Sequence, residues 1–232
     1  MTDSPRKCVL EVIVLSVDDA LRAEEGGADR LEVIRAFESG GLTPPLHLVR
    51  DIQSAVGLPL RVMLREDESY GLCEIIGVEK VCCMANAVNE LKVDGIVLGF
   101  LRGGRIDFEL TAKVLSCAPD LKATFHHAFE DTADKHAAIS ELKRLPQIDR
   151  ILSHGGTVPR ERKVANLNEY AAVAAPEIEI LAGGGVNKEV IRLVRETTGI
   201  REFHVGTAAR DNGKVDVSKV KELAAALSRS YV

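Results

Sequence analysis

The sequence has no tryptophan, and aromatic residues make up only 4% of its 232 positions. So few aromatic rings argue against a surface on which single-stranded nucleic acid stacks its bases. Basic residues are not in excess either, because the formal net charge is −5. This charge excludes the positive footprint of nucleic-acid-binding proteins. No apolar run approaches the roughly 20 residues of a membrane-spanning helix. We therefore expect neither a nucleic acid nor a membrane as a partner.

Cysteine is also scarce. The five cysteines are an odd number without the spacing of a disulfide framework, which indicates free thiols in a reducing compartment. Cys82 and Cys83 fall within a predicted helix, where adjacent residues do not face each other. We therefore predict that Cys82 and Cys83 are small buried side chains and do not form a two-thiolate metal site. Residues 1–7 are polar and lack the apolar core of a secretory signal. Together these features predict a cytoplasmic protein.

Strand-like and helix-like segments alternate eight times along the chain. The predicted strands cover residues 8–15, 30–34, 58–64, 94–100, 122–125, 150–152, 178–181 and 201–205. The predicted helices cover residues 16–25, 44–56, 73–92, 107–117, 134–145, 160–175, 187–197 and 216–229. Eight βα units in a chain of this length match a compact α/β barrel, and no linker interrupts them. We predict one domain, residues 1–232, folded as a single (β/α)8 TIM-type barrel.

The placement of the glycines decides between this barrel and an open, doubly wound sheet, which is the alternative. Such a sheet usually has a glycine-rich turn after its first strand, whereas this chain has Ser-Val-Asp-Asp at residues 16–19. A triple glycine at residues 183–185 instead follows the seventh strand, which favours the barrel. Backbone N–H groups of such loops bind phosphate in many barrels, although the glycines could equally serve only to allow tight turns. The predicted residues for binding the substrate or its phosphate are Ser153, His154, Gly184, Gly185, Gly206 and Thr207.

Polar and ionisable residues stand at the ends of six predicted strands, where strands buried on both faces are usually apolar. They are Glu11, Glu32, Arg65, His126, His127, Ser153, His154 and His204. The C-terminal strand ends form the active end of a barrel, and unpaired buried charge is unfavourable, so these groups indicate a site. Each has a structural alternative, such as an ion pair between Glu11 and Arg65, or a core histidine with one hydrogen bond. Alternation along the fifth strand separates His126 from His127, and we expect His126 to point into the barrel.

Several motifs resemble those of the CutC family, the copper homeostasis barrel proteins. They are Gly26-Gly27-Ala28-Asp29-Arg30-Leu31-Glu32, Gly40-Gly41-Leu42-Thr43-Pro44, Val62-Met63-Leu64-Arg65, Asp94-Gly95-Ile96-Val97-Leu98-Gly99 with Ile106-Asp107, Thr124-Phe125-His126-His127-Ala128-Phe129-Glu130, Arg150-Ile151-Leu152 and Ala182-Gly183-Gly184-Gly185-Val186. The resemblance covers most of the chain. It implies a TIM-type barrel, a cytoplasmic location, a homo-oligomer (a dimer or a tetramer) and an association with copper.

The chain departs from the family pattern at residues of the ligand type. Where the family commonly has cysteines, in the first strand and just after the glutamate of the second, this sequence has aliphatic residues, Ile13 or a neighbour and Ile34. The other departures are Glu66-Asp67 after Arg65, His127 for an arginine, Glu130 for an aspartate, and His154 with two glycines for a small-residue turn. Because Cu(I) prefers soft ligands, the missing thiols argue against copper as the ligand.

Three functions remain open. The first is an enzyme, a lyase or an isomerase, acting on a small polar ligand such as a sugar or sugar phosphate. Its predicted catalytic residues are Glu11, Glu32, Arg65 and His126, because proton abstraction next to a carbonyl needs a base and a group that stabilises the enolate. Glu11, Glu32 and His126 could instead hold Mn²⁺, Zn²⁺ or Fe²⁺. The second function is a copper-homeostasis protein without turnover, as the resemblance implies, and a structural scaffold is a third.

Overall fold

Eight parallel strands form a closed barrel in the computed structural model, which describes residues 7–71 and 75–228. The strands are β1 Val9–Val14, β2 Arg30–Val33, β3 Leu60–Met63, β4 Gly95–Leu98, β5 Lys122–Phe125, β6 Ile148–Ser153, β7 Glu179–Ala182 and β8 Glu202–Val205. Each strand pairs with its neighbours in chain order, and β8 returns to pair with β1. The predicted (β/α)8 barrel is thus confirmed, and the doubly wound alternative is wrong.

A helix follows each barrel strand. The helices are α1 Val17–Gly26, α2 Leu46–Ala55, α3 Ile75–Asn89, α4 Phe108–Ser116, α5 Lys135–Leu142, α6 Arg160–Ala174, α7 Lys188–Thr197 and α8 Val217–Ser228. Capping fixes several of their ends, as at α1, where Ser16 accepts a hydrogen bond from the Asp19 amide and Gly27 ends the helix with φ 90°. In the described ranges, no helix combines the length and apolar character needed to cross a bilayer.

The predicted elements differ from the observed ones mainly at their ends. The third strand is shorter than residues 58–64, and the fifth helix stops at Leu142 rather than 145. The predicted start of the third helix, residues 73 and 74, and the end of the last, residue 229, lie outside the described residues. Two short hairpins at 101–106 and 210–215 had no counterpart in the prediction. Strands of two residues carry no periodic pattern that a sequence could reveal.

The two faces of each barrel strand have different surroundings. In β1, Leu10, Val12 and Val14 are fully buried in the main hydrophobic core, which the helices cover. The alternate residues, Glu11 and Ile13, face the barrel interior, as the pleat of a strand requires. The interior is therefore the polar side of the sheet, and it holds the candidate site.

A chain of buried ion pairs crosses the barrel interior near the N-terminal ends of the strands. Glu202 accepts hydrogen bonds from Arg150 at 2.6 and 2.9 Å and from Arg30 at 2.8 Å. Arg150 also pairs with Asp149, and Arg30 donates to Glu11. Alternating charges satisfy one another along this chain, so the buried carboxylates remain ionised. This series of ion pairs ends at Glu11, which borders the candidate site.

Candidate functional site

A cavity of about 610 Å³ opens at the C-terminal ends of the barrel strands. The titratable side chains in its wall are Glu32, Arg65, Tyr70, His126, His127 and His204. Ile13, Ile34, Phe37 and Met63 make another part of the wall apolar. The cavity therefore suits a small ligand that presents both polar and apolar surface.

His204 lies between two carboxylates. Its Nδ1 is 2.8 Å from Oε1 of Glu11, and its Nε2 is 3.8 Å from Oε2 of Glu32. Register explains the first contact, because the parallel pairing of β1 with β8 sets Glu11 beside His204. Although burial opposes a charge, Glu32 and Glu11 together raise the pKa of His204. The contacts thus orient the His204 ring, favour its protonated form and turn its Nε2 side towards Glu32.

The two carboxylates are in opposite electrostatic states. Burial favours the neutral form of both, but Arg30 and His204 hold the pKa of Glu11 well below its ordinary value. Burial raises the pKa of Glu32 to about 7, and only the weaker pull of His204 and Arg30 opposes it. Glu32 is 3% exposed, and its Oε1 has no hydrogen-bond partner among the described residues. Glu32 can therefore gain or lose a proton near neutral pH.

His126 is a neutral hydrogen-bond donor. Its Nδ1 accepts from the backbone N–H of Ala128 at 3.1 Å, so the ring proton sits on Nε2. Burial, aided by the charge of Arg65, lowers the pKa of His126 to about 3. The ring packs against Gly99, where the Cβ of any other residue would lie only 2.5 Å from Nδ1 of His126. The basic lone pair of the neutral ring, on Nδ1, is taken up by the Ala128 amide, so the ring offers the cavity a hydrogen-bond donor, Nε2–H. The acid–base role of His126 stays a prediction.

His127 also lines the cavity, which corrects the expectation that only His126 would do so. The regular strand ends at Phe125, and a 3₁₀ turn, His127–Asp131, follows it. Alternation between the two faces therefore does not extend to His127. Burial lowers the pKa of His127 to about 3, and its Nδ1 has no partner within residues 7–71 and 75–228.

Arg65 does not pair with Glu11, so the ion pair considered from the sequence is not formed. Its guanidinium donates to the backbone oxygens of Ser39 at 3.1 Å and Glu68 at 2.5 Å. It also lies 4.8 Å from the ring centroid of Tyr70, a favourable cation–π arrangement. Arg65 is 8% exposed, and its charge faces backbone dipoles and an aromatic ring rather than a carboxylate.

The predicted binding residues divide between two places. Gly184, Gly185, Gly206 and Thr207 belong to the cavity wall. Ser153 does not: its hydroxyl donates to Glu130 at 2.7 Å and is fully buried. His154 lines a neighbouring cavity on the other side of the glycine loop, because its amide is held by Glu130 at 2.8 Å.

A group of three residues could hold a metal ion. Glu11, Glu32 and His204 offer ligand atoms within 4.8 Å of one another. The predicted set contained His126, which this group replaces with His204, because His126 turns its Nδ1 to the Ala128 amide. Arg30 and His204 already occupy the two oxygens of Glu11. A metal would have to displace them, so the choice among Mn²⁺, Zn²⁺ and Fe²⁺ stays a prediction.

The described part of the cavity wall offers no thiolate to Cu(I). Ile13 and Ile34, at the places where cysteines were looked for, both line it. The thioether of Met63 is the single sulfur among the lining residues of the described chain, and it packs against Ile34. The other metal-ligand side chains of the wall are one carboxylate, Glu32, and three imidazoles, so the described wall lacks the thiolates that Cu(I) prefers.

Comparisons with known proteins agree with this geometry. A family model described as the CutC family matches residues 8–210. The chain belongs to the CutC family. A family protein CutC from Xylella fastidiosa (strain 9a5c) is 30% identical, over 95% of this chain and 89% of that protein. The copper homeostasis protein cutC homolog of Homo sapiens is 30% identical, over 88% of this chain and 76% of that protein. The crystal structure of CutC from Streptococcus agalactiae superposes with a TM-score of 0.79 at 25% identity, covering 86% of this chain and 98% of that one.

Two residues of the cavity in this CutC-family chain, His204 and Tyr70, were not among the predicted site residues. His204 stands at a strand end, and Glu202 lies two residues before it in the same strand. Since residues two apart on a strand face the same side, two polar residues at this spacing indicate that both face the barrel interior. Arg30 and Glu32 carry the same signal in β2. Tyr70 lies in a polar loop, residues 66–71, whose sequence does not show that the loop folds over Arg65 and His126.

Proposed function

We propose that this CutC-family barrel is an acid–base enzyme, a lyase or an isomerase. Its substrate is small and polar, anionic or polyhydroxylated, of the sugar or sugar-phosphate kind. The observation that carries the proposal is the state of Glu32, a buried carboxyl with a pKa of about 7 and an unpartnered oxygen at the cavity. Such a poised carboxyl is typical of a general base or acid, and a solely structural carboxyl would be paired, as Glu11 is.

The surrounding groups supply the other requirements of proton abstraction next to a carbonyl. Glu32 as the carboxylate takes the proton from carbon, and the electron pair of that bond moves onto the carbonyl oxygen as an enolate. His126, through its Nε2–H, donates a hydrogen bond to that oxygen without transferring a proton. In an isomerase, the adjacent substrate hydroxyl passes its proton to the enolate oxygen, and protonated Glu32 delivers its proton to the former carbonyl carbon as the new carbonyl forms. In a lyase, the enolate collapses back to the carbonyl as the bond to the departing group breaks, and protonated Glu32 or His204 gives that group its proton.

Copper homeostasis without turnover is the second candidate, because the human relative carries that name. Among the described residues, the wall of the cavity offers copper one sulfur, that of Met63. Stoichiometric Cu(I) binding without catalysis on any substrate would favour this candidate.

The test is turnover on a panel of aldoses, keto-sugars, sugar acids and sugar phosphates, followed by ¹H NMR. Wild-type protein is compared with Glu32→Gln and with Glu25→Gln, a matched control whose side chain is 68% exposed on α1. We expect wild type and Glu25→Gln to be equal, and Glu32→Gln to lose about a hundredfold or more in rate. A substrate that Glu32→Gln converts as fast as wild type contradicts the mechanism.

A further inference from the structure

Two buried donors at one end of the cavity lack acceptors. The Nε of Arg65 and the Nε2 of His126 have no hydrogen-bond partner among the described residues. Both side chains line the cavity and are more than nine-tenths buried. Tyr70 connects them, with its ring 4.8 Å from the Arg65 guanidinium carbon and 5.3 Å from the His126 ring. A buried N–H without an acceptor is unfavourable, so the occupant of this part of the cavity has to accept hydrogen bonds.

The charge of Arg65 is also uncompensated. In the described chain, the other buried arginines have carboxylate partners: Arg30 with Glu11 and Glu202, Arg61 with Asp149, and Arg210 with Asp19. No carboxylate among those residues forms an ion pair with Arg65. A buried cation without a counter-charge is the feature that a ligand anion would satisfy.

We propose that Arg65 and His126 form the recognition subsite for a carboxylate group of the substrate. The charge selects a carboxylate over a phosphate, because one cation and one neutral donor match a single negative charge shared by two oxygens. A phosphate dianion would leave one charge uncompensated in a cavity that also contains Glu32. The proposal narrows the ligand to a polar acid, for example a sugar acid, and in that respect rests on the proposed function.

The geometry of Arg65 sets the mode of binding. Its Nη1 and Nη2 already donate to the backbone oxygens of Ser39, Gly41 and Glu68. The guanidinium is therefore fixed in place, and Nε is its one nitrogen without a protein partner. The carboxylate receives one hydrogen bond from Nε–H of Arg65 and one from Nε2–H of His126, and not a bidentate fork from the arginine alone. The carboxyl oxygen that His126 binds is then the one that takes the electron pair in the proposed proton abstraction, so a single N–H serves both steps.

The test uses glycolate as the probe, with glycolamide as its neutral counterpart and inorganic phosphate as the competing anion. Wild-type protein labelled with ¹⁵N is titrated, and the Nε–H resonance of Arg65 and the Nε2–H resonance of His126 are followed. We expect both to shift along one saturation curve with glycolate, in the millimolar range of a small fragment. Glycolamide should not saturate, and phosphate should bind at least tenfold more weakly than glycolate.

Variants separate the subsite from general effects. Arg65→Met should weaken glycolate binding at least tenfold, whereas Arg22→Met, a partly exposed control on α1, should not change it. If Arg65→Met fails to fold, the wild-type titration alone decides. Absence of glycolate binding, equal shifts with glycolamide, or tighter binding of phosphate would overturn the proposal. Glycolate binding should persist in Glu32→Gln, so a failed turnover experiment and a failed carboxylate subsite give different results.

Discussion

Replacing Glu32 with glutamine should stabilise the fold while it slows the proposed reaction. In the folded protein, burial raises the pKa of Glu32 to about 7, against an ordinary value of 4.5. The unfolded chain therefore ionises this carboxyl at lower pH than the folded chain does. As pH rises from about 4.5 to 7, ionisation increasingly favours the unfolded state, so wild-type stability falls over that window. Because glutamine cannot ionise, the stability of the variant does not fall over this pH window.

The magnitude follows from the same two pKa values. A difference of about 2.5 pKa units corresponds to roughly 3 kcal/mol in the free energy of unfolding above pH 7. At about pH 6 the difference is near 2 kcal/mol, and at about pH 4.5 it is a few tenths of a kcal/mol. In a chain of this size, 3 kcal/mol corresponds to a rise of about 6–12 °C in Tm.

Urea unfolding of wild type, Glu32→Gln and Glu25→Gln at several pH values is the measurement. The exposed control should track wild type at every pH, because Glu25 pairs only with Lys221 at 3.8 Å. The reasoning is refuted if Glu32→Gln is less stable than wild type at pH 8. It is also refuted if the difference between them does not change with pH.

Three further results are expected from the same structure. His126→Ala should keep its fold but lose on the order of a hundredfold in rate, because its Nε2–H stabilises developing charge; unfolding of this variant would contradict a site role. Arg61→Met should lower the free energy of unfolding, measured in urea, by about 3–5 kcal/mol. The reason is that Asp149 loses both hydrogen bonds of 2.9 Å from the Arg61 side chain, which is 1% exposed; a change below 1 kcal/mol would contradict this. Against a strong Cu(I) chelator the protein should bind copper weakly, and tight one-to-one binding that survives replacement of Cys82 and Cys83 by serine would contradict this expectation.

The fold could be predicted because each barrel unit carries its own local signals. Helix α1 has its cap at Ser16 and its terminating glycine at Gly27, and similar signals recur along the chain. The triple glycine after β7 added a feature that an open sheet would not place there. Strand and helix ends were less well predicted, because packing decides the last residues of an element.

The site could be predicted only in part, because the pairing of side chains depends on strand register. The sequence marked Glu11, Glu32 and Arg65 as unusual but could not show that Arg30 stands opposite Glu11 in the β1–β2 pairing. Because this pairing makes Arg30 the partner of Glu11, Arg65 does not form the ion pair with Glu11 that was considered from the sequence. The pairing also leaves Arg65 without a counter-charge, which is the basis of the proposed carboxylate subsite.

The opposite states of Glu11 and Glu32 follow from the same ion-pair chain. Arg150 and Arg30 compensate Glu202, and Arg30 then holds Glu11 in its ionised form. Although burial opposes it, the charge of Glu32 and the hydrogen bond and charge of Glu11 raise the pKa of His204. Glu32 is therefore the carboxyl of the pair whose protonation changes near neutral pH. Two carboxylates beside one imidazole thus differ in state: Glu11 orients His204, and Glu32 is the one that exchanges a proton with the ligand in the proposed mechanism.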